Sequence, residues 1–301
     1  MHRRGRGAIV ALTATLIMCG AQTFSGASLP SVKAIESLVA KASEIKRVPA
    51  NVDPPIALLS SRMPWNELAG AGRCSDPSHL CKFGPTTARG TIALFGDSHA
   101  AMWAPALVVA AEAANLRTVL LWRPQCPLTT TPSGAACTTW KAAAVRALVA
   151  LHPKVIVFAE RTSLTGETWN VRPSDAAWTA GLVRLAQRFD SVGVKVAMIL
   201  DNPILPTQPG ACLARFARSV QHCAGGVSAQ SLSATTFRKA ESAAMHRTGG
   251  LVIDPLPWIC STTCPVIIGH WIVYYDATHL SGAYARHLAG AMAESLDHVW
   301  N

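Results

Sequence analysis

The stretch Thr91-Ile92-Ala93-Leu94-Phe95-Gly96-Asp97-Ser98-His99 decides the fold. Its first five residues are apolar or β-branched without alternation, as in a strand buried on both faces. The next four bring a glycine, residue types that cap helices and a histidine. This reads as a strand running straight into a helix start. Similar runs recur at residues 118–122, 154–159, 195–200 and 251–254, and helical segments at 100–114, 139–151, 175–190 and 230–247 lie between them. Gly193 and Gly249-Gly250 stand where helix C-caps belong, and residues 282–299 read as a last helix. Alternating strands and helices predict an α/β fold, a three-layer α/β/α sandwich around a central parallel sheet of about five strands. Such sheets bind ligands outside the carboxyl ends of their strands, where Ser98 stands.

A serine at a strand-to-helix turn is exposed at that edge, and the first helix amides can stabilise an anion beside it. Gly96 is expected to permit the tight turn. The plainer reading makes Ser98 an N-cap. Pro105 falls where a helix capped by Ser98 is already regular, so a short turn after Ser98 is expected, with Pro105 at the first position of the helix proper. Asp97 is expected to hold the turn through backbone hydrogen bonds. His99 either touches substrate or makes a structural contact at the helix start.

A nucleophilic serine needs a base, and the chain has ten histidines. His2 sits in the N-terminal leader, and His79, His152, His222, His246 and His298 lie in expected loops or on polar faces. His279 stands out in Tyr274-Tyr275-Asp276-Ala277-Thr278-His279-Leu280-Ser281-Gly282. Asp and His three residues apart on a turn can face the same way, so Asp276 can hold the Nδ1 proton while Nε2 faces a serine.

The 301 residues carry a formal charge of +10, with 50% hydrophobic and 15% charged residues, which excludes a disordered or low-complexity chain. Past about Ser28 no apolar run is long enough to span a bilayer, which excludes a polytopic membrane protein. Nucleic-acid binding is not expected either, because the basic residues are scattered. The one dense cluster, His2-Arg3-Arg4-Gly5-Arg6, precedes the apolar run from Ala8 to Met18, and small residues follow. Residues 1–27 therefore read as a secretory signal peptide with cleavage after Ala21 or Ala27, or as an uncleaved anchor. Lipid attachment at Cys19 is disfavoured by the bulky Met18. Losing Arg3, Arg4 and Arg6 leaves +7. Residues 28–59 read as a helix, over 31–46 behind Ser31 with Ile35, Leu38, Val39, Ala42 and Ile45 on one face, followed by the linker Val48-Pro49-Ala50-Asn51-Val52-Asp53-Pro54-Pro55. Residues 60–301 form the main domain.

Export makes the cysteines interpretable. Cys19 lies in the leader, and the others fall into four local couples: Cys74 with Cys81, Cys126 with Cys137, Cys212 with Cys223, and Cys260 with Cys264. Eight cysteines allow about 105 connectivities, so nearest-neighbour disulfides are an expectation. The rival is a metal held by Cys260, Cys264 and His270. One such spacing is far from a four-ligand pattern, and no metal is expected. Trp103, Trp122, Trp169, Trp178 and Trp271 are either core or sugar-stacking residues.

Gly96-Asp97-Ser98-His99 and Asp276-Ala277-Thr278-His279-Leu280-Ser281 together resemble the first and last motif blocks of the SGNH hydrolase superfamily. The chain is similar to the periplasmic SGNH domains fused to acyltransferase-3 membrane proteins, which modify cell-surface carbohydrate with acyl groups. The similarity covers roughly residues 60–301. Cys74 and Cys81 ahead of the first strand, Trp103-Ala104-Pro105-Ala106-Leu107, Cys126-Pro127, Asp201-Asn202-Pro203 and the cysteines before the final block fit it. The resemblance implies Ser98 as nucleophile, His279 as base and Asp276 as the group that orients it, with no cofactor. It departs at the third strand end, Phe158-Ala159-Glu160-Arg161-Thr162-Ser163, which lacks the oxyanion-binding Asn of the superfamily. The Ser98 amide is then the first oxyanion donor, and Arg161, Thr162 and Ser163 are candidates for the rest. The multi-span acyltransferase domain of that branch is not in this chain.

These readings converge on an exported serine esterase or O-acyltransferase acting on acyl esters, acetyl foremost, of an envelope polysaccharide or glycolipid. Its location is periplasmic, cell-wall associated or secreted. A separate membrane acyltransferase is the expected partner for transfer, whereas action alone gives an esterase. The alternative is a non-catalytic carbohydrate-binding or accessory SGNH module serving such an acyltransferase.

Overall fold

The computed structural model describes residues 28–129, 134–162, 173–227 and 235–301. The expected leader, Ser163 and Trp169 lie outside them. Six strands form the central sheet: β1 (Cys81–Phe83), β2 (Thr91–Gly96), β3 (Arg117–Trp122), β4 (Val155–Ala159), β5 (Lys195–Ile199) and β6 (Leu251–Ile253), in the order β1-β3-β2-β4-β5-β6. β2 to β6 are mutually parallel, as their apolar runs require. β1 adds an antiparallel edge against β3, pairing Cys81 with Leu120 and Phe83 with Thr118. Three residues with an exposed lysine between two half-buried neighbours carry no readable alternation, so this strand escapes detection from sequence.

Successive strand residues point to opposite faces, and the two faces build two cores. Ile92, Leu94, Leu120, Trp122, Val155, Val157, Ala197 and Ile199 pack on one side with helices α1 (Val32–Lys41), α2 (Ser98–Ala113), α6 (Gly282–His287) and α7 (Ala289–Trp300). Ala93, Phe95, Val119, Leu121, Ile156, Phe158 and Met198 pack on the other with α3 (Ala135–Leu151), α4 (Asp175–Asp190) and α5 (Thr235–Thr248). Helix, sheet and helix make three layers. α1 is capped by Ser31, whose hydroxyl accepts from the Ala34 amide, and buries Ile35 and Val39 in the first core.

Two expectations about helices change, and one about the Gly96 turn. α2 begins at Ser98 with Pro105 inside it, so no separate turn precedes the proline. An interior proline removes a backbone hydrogen bond. Here every residue from His99 to Val108 is buried, and packing between the sheet and α6 and α7 keeps the helix continuous. The last helix is two: it breaks at Leu288, and Gly290 then lies so close to Pro30 that a Cβ would sit 2.0 Å from the Pro30 carbonyl oxygen. Gly96 does not have the left-handed φ that favours glycine. It is glycine for room, since a Cβ there would lie 1.8 Å from the Ala159 carbonyl oxygen of β4.

The disulfides are Cys74–Cys81, Cys126–Cys137, Cys212–Cys223 and Cys260–Cys264. The last removes both thiolates from the competing metal reading. No helix among the described residues is long and apolar enough to cross a membrane.

Candidate active site

β2 delivers Ser98 to the carboxyl edge of the sheet as the first residue of α2. Asp97 is the N-cap, accepting from the His99 amide at 2.8 Å with Oδ1 and from the Arg161 amide at 3.0 Å with Oδ2. The cap therefore also ties β2 to the end of β4. With capping assigned to Asp97, the Ser98 hydroxyl is left for other work. Its Oγ lies 2.9 Å from Nε2 of His279. Its amide, one of the orphan donors of a helix start, has no acceptor among the described residues.

The loop between Tyr274 and Leu280 is closed by their bridge and by the Tyr275 amide donating to the His279 carbonyl. Within it Asp276 Oδ1 accepts from the amides of Thr278 and His279, both at 2.7 Å. The His279 ring Nδ1 lies 2.9 Å from Asp276 Oδ2. Burial works to raise the Asp276 carboxyl. The hydrogen bond and charge of His279, with the two amides, outweigh it and hold the group well below the usual carboxylate range. An ionised Asp276 fixes the imidazole with its proton on Nδ1 and the Nε2 lone pair toward Ser98.

The segment after β5 cradles this loop. Asn202 Nδ2 donates to the Thr278 carbonyl at 2.8 Å, and the Leu205 amide donates to the Ala277 carbonyl at 2.8 Å. Asp201 reaches the other way. Its Oδ1 lies 2.6 Å from Nδ1 of His99, and its Oδ2 accepts from the Thr162 amide at 2.8 Å and hydroxyl at 3.1 Å. His99 is buried, and its ring packs 4.8 Å from that of His279. Desolvation acts to lower the His99 pKa, but the charge and hydrogen bond of Asp201 overcome it and raise the group above an ordinary histidine. The same pair holds Asp201 low against its own burial.

Ser98, Asp276 and His279 thus come together, with Gly96, Asp97 and His99 supporting them from behind. Thr162 changes role, because both of its donors are committed to Asp201. The Arg161 amide is likewise committed to Asp97, and Ser163 lies outside the described residues. Among the tryptophans, Trp103, Trp122 and Trp178 are buried, and Trp271 stacks on His287. Among the described residues, the indole beside the site is one that sequence reasoning missed: Trp65 meets the His279 ring edge-on at 6.1 Å. It lies in a single 3-10 turn, Pro64–Glu67, too short to show a periodicity that would single it out.

The sequence profile of the SGNH domain (fused to AT3 domains) matches residues 67–294. Among solved structures, the periplasmic domain of a lipopolysaccharide acetyltransferase from Salmonella ser. Paratyphi A is similar at 14% identity and a TM-score of 0.57, covering 70% of this chain and 85% of that one. A catalytic mutant of an acetylxylan esterase from Geobacillus stearothermophilus matches at 12% identity and a TM-score of 0.47, covering 69% and 94%. No curated protein matches the sequence.

Proposed function

The chain belongs to the family of SGNH domains fused to AT3 domains, which makes it an SGNH-type hydrolase or acyltransferase, and we propose that Ser98, His279 and Asp276 are its catalytic triad. We infer that it is exported and acts on acyl esters, acetyl foremost, of cell-envelope carbohydrate or glycolipid. The observation that carries the catalytic reading is the unbroken chain Ser98 Oγ, His279 Nε2 and Nδ1, Asp276 Oδ2, with both links at 2.9 Å.

Ser98 Oγ attacks the ester carbonyl carbon as His279 Nε2 takes its proton, and Asp276 stabilises the imidazolium. The oxyanion forms beside the Ser98 amide at the positive end of α2. Collapse expels the sugar alcohol, which takes the proton from His279, and leaves an acyl group on Ser98. His279 then activates either water, giving hydrolysis, or a second sugar hydroxyl, giving transfer. Membership of a family fused to membrane acyltransferases, and the fold shared with a lipopolysaccharide acetyltransferase domain, support a carbohydrate substrate and a membrane acyltransferase partner. Four disulfides support export.

The test is labelling by a fluorophosphonate together with turnover of acetylated glycan, using residues 28–301. Labelling that disappears in Ser98→Ala and turnover lost in His279→Ala are expected. Labelling of Ser98→Ala at the wild-type level would overturn the reading. Free acetate as product marks an esterase, and acetate retained on a sugar acceptor marks a transferase.

A further inference from the structure

Trp65 is held at the mouth of the site with more bracing than a surface turn requires. Its turn, Pro64–Glu67, packs on Gly282 so closely that a Cβ there would lie 2.4 Å from the Pro64 carbonyl oxygen and 2.3 Å from Glu67 Cγ. Arg286 donates to the Glu67 carbonyl at 2.8 Å. The indole leans on the Trp122 ring at 4.8 Å, and Trp122 is itself fixed by donating from Nε1 to the Ala71 carbonyl. At Gly72 a Cβ would come within 3.2 Å of Trp65 Cδ1, so a side chain there would crowd the ring. α6, which follows the catalytic loop, thereby fixes Trp65 relative to His279.

The ring so held is only half buried. Unlike the indoles of Trp122 and Trp140, which donate to the carbonyls of Ala71 and Ser75, its N–H has no acceptor among the described residues. Of the described tryptophans it alone is in ring contact with His279. An apolar face with a donor at its rim suits a pyranose, whose C–H groups pack on an indole while a ring hydroxyl accepts from it.

We propose that Trp65 is the sugar platform of this site: one pyranose ring of the substrate lies against its indole, which sets the acyl ester over Ser98. This rests on the reading of Ser98 and His279 as the catalytic pair. It assigns carbohydrate selectivity to a side chain outside the triad.

Two measurements test it, with a partially O-acetylated cello-oligosaccharide as the glycan probe. The first compares kcat/KM on that probe with kcat/KM on 4-nitrophenyl acetate, which has no sugar. In Trp65→Ala the ratio of glycan to small ester falls about tenfold, mainly through KM, the size of about 1.4 kcal/mol of lost binding. Trp65→Phe, which keeps a ring face and loses the N–H, falls between. The second is calorimetric binding of the same oligosaccharide to Ser98→Ala protein, which weakens about tenfold when Trp65→Ala is added. An equal loss on both esters, marking Trp65 as a mere prop for His279, or binding untouched by Trp65→Ala would overturn the proposal. Failure of the catalytic reading looks different: no ester is turned over and no probe labels Ser98, while binding still depends on Trp65.

Discussion

Ser98 and His279 stand 181 positions apart in the chain and 2.9 Å apart in space. In the proposed triad each of these groups acts only as part of the unit, so each single alanine substitution should lower kcat about 10⁴-fold or more, with little further loss in the double variant. Asp276 adds a pH signature. Its folded pKa lies below its unfolded value, so its stabilising contribution is present above pH ~4 and is lost as pH falls through the lower folded value. Wild type and Asp276→Asn should therefore differ most in Tm above that pH and converge in acid; a gap independent of pH would contradict this. Asp201→Ala leaves His99 buried without its partner and the Thr162 donors unmet, and should cost about 3–5 kcal/mol in denaturant unfolding. Local chemistry made Ser98, Asp276 and His279 legible, because a strand-turn-helix serine and an Asp-x-x-His turn are short-range patterns. Trp65 had no such signal, since what qualifies it is contact with residues far along the chain.

At the scale of elements, the junctions between strand ends carry the design. Gly96 brings β2 against the β4 backbone, so Gly96→Ala must push two strands apart or strain the turn that holds Ser98. It should cost about 3 kcal/mol in chemical denaturation and lower turnover with it. Glu160, at the end of β4, is pushed up to about 8 by burial, with the charge of Asp97 adding to the effect. A buried carboxyl with a raised pKa binds a proton that the unfolded chain has lost, so it drains stability as pH rises from about 4.5 to about 8. Glu160→Gln keeps an acceptor for the Leu128 amide and should gain stability over wild type across that window; a constant difference would refute the assignment. The five parallel strands were readable because burial on both faces leaves an apolar run. β1, the continuity of α2 through Pro105 and the break at Leu288 were not, because each depends on a neighbour that local sequence does not contain.

Across the whole molecule, two cores on opposite faces of one sheet set the strand ends, and disulfides spanning 7, 11, 11 and 4 residues staple the connections around them. Mass spectrometry of unreduced residues 28–301 should find no free thiol, and reduction should lower Tm, since each bond restricts the unfolded chain. Several free thiols would contradict the pairing. The sequence by itself determined the alternation of strands and helices, the cysteine couples and the two motifs that hold Ser98, Asp276 and His279, because periodicity, capping and short spacings are local physics. Only the tertiary structure decided that the Arg161 amide is committed to Asp97, that Thr162 and His99 answer to Asp201, that Gly96 is needed for room, and that Trp65 lies against His279. Those are matters of distance between elements brought together by the sheet, and no local pattern encodes a distance across a fold.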